Sequence, residues 1–376
     1  MWKVWCAIPV AGPPERDGGA GGEDLSEGAM GAPNSDLKNS TEYRLTPESF
    51  GDYLHKHGLV RDQSQLSIRE LGGGVSNIVL LMEGPQGRWV AKQSLGKLRV
   101  EDDWRSSRER VFREAAAIES LNLVLGNAVP QVIHVDRENF LYVMTAAPEG
   151  SVMWKQSLLD GHVDLRIAEK AGKLLATMIK ARRADAAFKR QFSDRTVFDE
   201  LRIDPYYRTV ATRHQDVAEF LKQLIQDSWK IQASLVHGDY SPKNMLVRGD
   251  DVFLIDFEVV HWGDPSFDAA FLLNHLMLKS FYRPRDAGLY FQAAREFWRA
   301  LALGLGGFGG EWFEAMTVRH LGGLMLARID GKSPVEYIRD EATKTRAREV
   351  AKHLLVERPP SLDAAFMRIE KGIDRK

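Results

Sequence analysis

Four polar residues near the middle of the chain carry more chemistry than a folded hairpin can use. In LVHGDYSPKNMLV (residues 235–247) His237, Asp239 and Asn244 interrupt two apolar runs, and Asp256 follows twelve residues after Asn244 at the end of the apolar run in DVFLIDFE. A carboxylate such as Asp239 can orient an attacking hydroxyl and accept its proton, while an amide oxygen five residues on, at Asn244, can turn back onto a divalent ion. With Asp256 as a second oxygen donor the set suits Mg2+, which takes hard oxygens and keeps some of its waters. A lone Asp after a strand is usually a turn or cap residue. Several polar groups converging on one packed hairpin are different, because each loses its water without any gain in packing.

A second group of candidates lies upstream. Gly72-Gly73-Gly74-Val75-Ser76-Asn77 joins two strand-like runs, and its bare backbone could approach phosphate oxygens, although a tight hairpin turn uses the same residues. It is neither a Rossmann fingerprint, since a strand and not a helix follows, nor a P-loop, since no Gly-Lys-Ser/Thr closes it. A dinucleotide-dependent oxidoreductase is excluded on the same strand order. In RWVAKQ (88–93) alternation puts Lys92 on the strand face of Val90, where the ordinary fate of a lysine is to snorkel. Order raises its interest: a glycine turn, a Val-Ala-Lys strand, then a helix offering Glu114 are the parts with which kinases hold ATP phosphates. Glu109 and Glu119 compete with Glu114 for Lys92, and Glu114 lies beside the apolar stripe. The spacing of five from Asp239 to Asn244 is likewise that of the kinase catalytic loop.

The elements that must position these residues follow from periodicity. Thr46 and Pro47 open a short helix. Strands are expected at about 65–71, 76–82 and 88–93, then an amphipathic helix over 104–125 and two further strands, PQVIHVD and FLYVMTA, completing a small antiparallel sheet. From Gly150 the pattern is mostly helical, interrupted by the stretch already quoted and by DVFLIDFEVV. The fold class expected is α+β in two lobes: residues 45–147 as a nucleotide-binding lobe and 148–376 as a larger helical lobe for catalysis and acceptor binding, with the site in the cleft between them. Residues 1–44, rich in Gly, Pro and acids, read as a disordered leader whose first apolar run is too brief and too weakly charged for an export signal.

At 376 residues and a formal net charge of -1, the chain has no global attraction for nucleic acid or anionic membrane. No stretch is long enough to span a bilayer. A single cysteine, Cys6, leaves no intramolecular disulfide and fits a reducing, cytoplasmic setting.

The segment LVHGDYSPKNMLV…VFLIDFEVVHWGDPSFDAAFLL resembles the aminoglycoside phosphotransferase and choline kinase-like family, the small-molecule branch of the protein kinase-like fold. The resemblance covers about residues 45–376 in element order and is specific from His237 to Asp268. It implies Asp239 as catalytic base, Asn244 and Asp256 as ligands of Mg2+, Lys92 as the ATP phosphate contact and Glu114 as its partner. Gly73, Gly74, Ser76 and Asn77 would lie over the phosphates. The backbone near Met144, Thr145, Ala146 and Ala147 would receive adenine. His237 and Asp268 would support the catalytic loop from behind, whereas Asp264, just before Pro265, is explained as a helix cap.

Two departures from protein kinases narrow the acceptor. Glu258 stands where Gly follows Asp-Phe, and DFEVVHWGDP runs into the next helix without a long activation segment. A small hydroxyl compound is therefore expected as partner, an aminoglycoside, sugar or amino alcohol, with Glu258 and Arg328 as candidate contacts. The segment RHLGGLMLARIDGKSP around Arg328 holds Arg319, His320, Asp330 and Lys332 and has more cations than anions, which suits a polycationic aminoglycoside poorly and a sugar such as methylthioribose, or another polyol, better. A catalytically silent nucleotide-binding scaffold is the alternative, and nothing required for transfer is missing from the sequence. Met30, inside the leader, is a candidate initiator. Mass spectrometry of the native N-terminus is expected to find no peptide spanning Ala29 and Met30, and such a peptide would exclude that start.

Overall fold

The computed structural model describes residues 43–72, 77–96 and 107–373. Most of the expected leader, Gly73, Gly74 and Ser76 of the glycine turn, and residues 104–106 of the expected charged helix lie outside the described residues.

Thr46 caps α1 (Pro47–Lys56): its hydroxyl accepts from the Ser49 amide while the Ser49 hydroxyl accepts from the Thr46 amide, and Pro47 takes the first helical position. The small lobe is built on β1 (Ser67–Glu70), β2 (Asn77–Gly84), β3 (Gly87–Ser94), β4 (Val132–Asp136) and β5 (Leu141–Thr145), all antiparallel in the order β1-β2-β3-β5-β4. Period-two alternation gives the sheet two apolar faces. Ile78, Leu80, Met82, Ala91, Leu141 and Val143 pack with Phe50, Tyr53 and Leu54 of α1. Leu81, Val90, Tyr142 and Met144 face the other way, into the main core with Val111, Ala115, Ile118 and Leu121 of α2 (Arg110–Leu125). Lys92, two residues from Val90, is therefore on the α2 face.

The larger lobe is mainly helical. It opens with β6 (Val152–Met153), α3 (Trp154–Leu159), α4 (Leu165–Lys180), α5 (Ala186–Gln191) and α6 (Thr196–Phe198). A π-helical segment, Asp199–Arg208, follows with Pro205 inside it, then α7 (Thr209–Arg213) and α8 (Ala218–Lys230). The expected hairpin is β8 (Met245–Arg248) with β9 (Asp251–Leu254), and β6 extends it. β7 (Ser234–Val236) pairs instead with β10 (His261–Gly263), a pairing the sequence did not announce. The chain ends in α9 (Ser266–Tyr282), α10 (Ala287–Leu305), α11 (Gly310–Asp330), α12 (Glu341–Glu357) and α13 (Leu362–Ile373). Every residue of α9 from Ser266 to Phe281 is buried, which makes it the central helix of this lobe. The two-lobed α+β architecture expected from the sequence is the one observed. Among the described residues no helix is long and apolar enough to cross a membrane.

α4 and α10 pack against each other most closely at Gly172. A Cβ there would lie 2.9 Å from Ala300 Cβ and from the Leu301 amide nitrogen, and inside contact distance of the Phe297 carbonyl oxygen. Gly172→Ala should therefore destabilise the protein by about 1–3 kcal/mol through overpacking. The expected result is a lower urea midpoint with an unchanged slope; an unmoved midpoint would show that the two helices part freely.

Candidate active site

The loop between β7 and β8 owes its shape to Gly238 and Asp268. Gly238 has φ 75, and a Cβ on it would lie 2.8 Å from Val259 Cγ1 and 2.9 Å from the Val259 carbonyl oxygen, so only glycine fits. The turn aims the amides of His237 and Gly238 at the buried Asp268 of α9, whose carboxylate accepts both, at 2.6 and 2.9 Å. His237 Nδ1 accepts from the Asp239 amide at 3.3 Å and Nε2 donates to the Ile255 carbonyl at 3.2 Å. This fixes the Nε2–H tautomer of a neutral ring, and burial lowers its pKa to about 4. His237 thereby ties the loop at Asp239 to the strand end that carries Asp256.

Asp239 is held by two cations. Its Oδ2 lies 2.7 Å from Lys243 Nζ and 3.0 Å from Arg202 Nη2. Burial alone would raise this carboxyl, but Lys243 and Arg202 outweigh it and hold Asp239 well below the usual carboxylate range. Arg202 comes from the π-helical segment and also donates to the Gly238 carbonyl at 2.7 Å. No spacing in the sequence singles it out. Lys243 lies four residues after Asp239 in the quoted stretch, and the single turn Pro242–Asn244 carries it back to that carboxylate.

Asn244 is fixed from three sides. Its amide nitrogen donates to the Ser241 carbonyl at 2.9 Å, its carbonyl accepts from Ile255 at 3.0 Å, and its side-chain Nδ2 donates to the Asp239 carbonyl at 3.0 Å. The side-chain nitrogen being spent, the oxygen is the atom left to bind. Asp256 sits directly beyond Ile255 in the left-handed region, at φ 69, a conformation uncommon outside glycine and typical of functional turns. An amide oxygen and a carboxylate fit Mg2+, which takes one or two carboxylates and fills its shell with phosphate oxygens and water. Among the described residues no group of three or more His, Cys, Asp or Glu forms a metal cluster of another type.

Lys92 links the lobes. Its Nζ lies 2.8 Å from Glu114 Oε1 and 2.6 Å from Asp256 Oδ1, with only 6% of the side chain exposed. Burial disfavours its charge, yet Asp256, Glu114 and Glu258 keep its pKa well above the usual lysine value. Glu114 Oε1 also accepts from the Phe257 amide at 2.9 Å. Burial pushes Glu114 up to about 7 against the pull of Lys92. Glu109 and Glu119, the other candidates for Lys92, are exposed.

Several expected contacts stand elsewhere. Asn77 Nδ2 donates to Glu258 Oε2 at 2.9 Å, and Arg110 Nε lies 3.8 Å from the same oxygen, so Glu258 bridges the lobes. Met144 is held in the ladder opposite Val90 and Val132, the Thr145 amide donates to Gln131 and the Ala146 amide to Arg88. Among the described residues the Ala147 amide is the one of this group with no backbone partner, while its carbonyl accepts from Arg88 Nη1 at 2.8 Å. In the 319–334 segment Arg319 pairs with Asp227, Lys332 with Asp204, and Asp330 with Arg348 and His214. His320 lies between Tyr207 and Asp264. Asp264 also accepts from the Ser266 amide at 3.0 Å, the capping bond expected of it, although α9 begins one residue later than the sequence suggested. Arg328 reaches Ser333 and the Tyr206 ring.

Residues 67–303 match the phosphotransferase enzyme family (APH). The chain belongs to that family. Among its relatives are methylthioribose kinase 2 of Oryza sativa subsp. japonica, 27% identical over 248 residues, covering 57% of each chain. The methylthioribose kinase of Bacillus velezensis is 25% identical over 284 residues, covering 67% of this chain and 71% of that one. The chain thus spans little more than half the length of the rice relative. Among solved structures, a choline/ethanolamine kinase family protein from Mesorhizobium loti is 18% identical with a TM-score of 0.43, covering 81% of this chain and 92% of that one. Choline kinase from Cryptosporidium parvum Iowa II is 13% identical with a TM-score of 0.46, over 87% and 97%.

Removing Asp268 would leave two buried amides without acceptors. Asp268→Ala is expected to cost about 2–4 kcal/mol in chemical denaturation. A variant as stable as the parent would mean that the loop amides find other partners.

Proposed function

We propose that the protein is a small-molecule kinase that transfers the γ-phosphoryl group of ATP to a hydroxyl of a sugar or polyol. The observation that carries this is the linked set of charges in which Lys92 pairs with Glu114 and Asp256, while Asp239 is held by Arg202 and Lys243 beside Asn244. In this reading adenine meets the Ala147 amide, and Lys92 and Lys243 turn from their carboxylates to phosphate oxygens. Gly73, Gly74 and Ser76, outside the described residues, are proposed to cover the phosphates. Asn244 and Asp256 would hold Mg2+, which would supply neutralisation of phosphate charge.

Asp239 orients the acceptor hydroxyl. The acceptor oxygen bonds to the γ-phosphorus as the bond to the β,γ-bridging oxygen breaks, ADP leaves, and the hydroxyl proton passes to Asp239. With Lys243 and Arg202 beside it Asp239 is a weak base in the free protein; once Lys243 has turned to phosphate Arg202 still keeps it ionised, so its work before transfer is orientation, and it takes the proton late. His237 and Asp268 are proposed to hold the loop in place, and Glu258, bound to Asn77, is proposed to hold the lobes together and not to touch the acceptor. Lobe boundaries near 45–147 and 148–376 are part of the proposal, as is a cytoplasmic setting.

A sugar acceptor is favoured because the relatives reported above are methylthioribose kinases and because Arg328 gives the acceptor side a positive contact. A silent scaffold would bind nucleotide without transferring phosphate. Asp239→Ala is expected to keep nucleotide affinity and lose turnover by about 10²–10⁴-fold, while Asp256→Ala should weaken binding of Mg-ATP itself about tenfold or more. Nucleotide consumption against a panel of sugars, aminoglycosides and amino alcohols, with calorimetry for binding, measures both. Equal turnover in Asp239→Ala and the parent would end the role given to Asp239.

A further inference from the structure

α9 carries its ionisable residues on one stripe. Asp268, Phe271, His275 and Lys279 are three or four residues apart, so they lie along a single face of a fully buried helix. The stripe begins at the catalytic loop, which Asp268 holds. Phe271 stacks with Tyr206 at 6.1 Å between centroids, and the Arg202 guanidinium that grips Asp239 stands 5.9 Å from each ring. The His275 ring follows at 5.3 Å from Phe271. Last comes Lys279, fully buried, with its Nζ 3.3 Å from the His275 carbonyl and 5.1 Å from the centre of the Tyr337 ring.

Among the described residues Lys279 has no carboxylate within ion-pair distance. Its neighbours are mostly cationic. Arg328 stands 5.9 Å from the Tyr206 centroid, and Lys155 belongs to α3, which packs on the Pro242–Asn244 turn. Burial first, then Lys155 and Arg328, bring Lys279 down to about 7, with Glu336 opposing. Burial, Lys279 and Arg328 keep His275 neutral. Two further donors, Arg328 Nε and the Tyr337 hydroxyl, are buried with no hydrogen-bond partner. A buried ammonium without a counter-charge, beside unpaired donors, opposes folding, and a methionine would pack in the same space. The negative charge at this end comes from Glu336, in the connection between α11 and α12, whose Oε1 lies 2.5 Å from Lys155 Nζ and whose side chain is about half exposed.

We propose that this end of the stripe is an anion subsite for the acceptor: Lys279, Arg328 and Tyr337 receive a carboxylate or phosphate of the same molecule whose hydroxyl lies at Asp239. The inference rests on the reading of the protein as a kinase of small hydroxyl compounds and adds the acceptor's charge. Arg202 and Arg328 each stand 5.9 Å from the Tyr206 ring centre, so that ring joins the Asp239 end of the stripe to the Arg328 end.

The test is calorimetric binding, together with turnover, for matched probes: gluconate, glucose and glucosamine, glycerate and glycerol, ribose 5-phosphate and ribose. The anionic member of at least one set should bind about tenfold or more tightly than its neutral or amino counterparts, and the acid and phosphate arms show which anion is preferred. Lys279→Met or Arg328→Gln should bring that ratio towards one. Arg328 is only half-buried, so its variant serves if Lys279→Met disturbs the core. Neutral or amino members binding as tightly as the anions, no anion binding at all, or a ratio kept in both variants would overturn the proposal. Phosphoryl transfer to any probe, lost in Asp239→Ala, reports separately on the kinase reading.

Discussion

The rest of the site depends on one buried ammonium. Lys92 lies out of water, and a charge there is tolerable only when opposite charges meet it at hydrogen-bond distance. Glu114 and Asp256 do so from different lobes, and Glu114 in turn takes the Phe257 amide. A strand of the sheet, the helix on its face and the loop after β9 are thus fixed to one another through a few atoms. The position of Asp256, and with it the unusual backbone at that residue, follows from where the ammonium sits. Glu258, two residues further along, is joined to Asn77 and near Arg110 and repeats the device on a smaller scale.

The second constraint is α9. Because it is buried all round, a polar residue on it is costly unless it finds a partner. Asp268 finds two, since its carboxylate takes two amides that the left-handed turn at Gly238 turns inward. The loop is therefore shaped from within by Gly238, His237 and Asn244 and anchored from without by Asp268. It is held from beneath by a helix thirty residues away, and His237 connects it to the strand end that carries Asp256.

What was legible in the sequence is what depends on local chemistry. Thr46 with Pro47 announces a helix start because capping is decided within four residues, and alternation in RWVAKQ places Lys92 on the α2 face because strand geometry has period two. The pairing of Lys92 with Glu114 could be read because a strand lysine followed by a helix glutamate beside the apolar stripe is the order of parts in kinases. Arg202 could not. It stands in a π-helical segment containing Pro205, whose register is imposed by packing and has no sequence period. Nor could the separation of Arg328 from Arg319, His320, Asp330 and Lys332. All five lie in one charged stretch, and only the neighbours supplied by Asp227, Asp204, Asp264, His214 and Arg348 show that four of them are already spoken for. The pairing of β7 with β10 was hidden for the same reason, three-residue strands being too short to carry a pattern.

Charge balance connects these observations. In the site Lys92, Lys243 and Arg202 face Glu114, Asp239 and Asp256, three cations against three carboxylates. In the proposed kinase reading a nucleotide would bring net negative charge into this balanced set, and the cations best able to move would have to re-partner. Lys243, with 38% of its side chain exposed, can do so, whereas Arg202, anchored on the Gly238 carbonyl, cannot. When Lys243 turns to phosphate oxygens Asp239 loses one of the two charges that suppress its basicity, and its affinity for a proton rises as the phosphoryl donor arrives. In this reading, the weak base of the free protein becomes a competent one in the complex where transfer takes place, and the fixed Arg202 keeps it ionised and aimed until then.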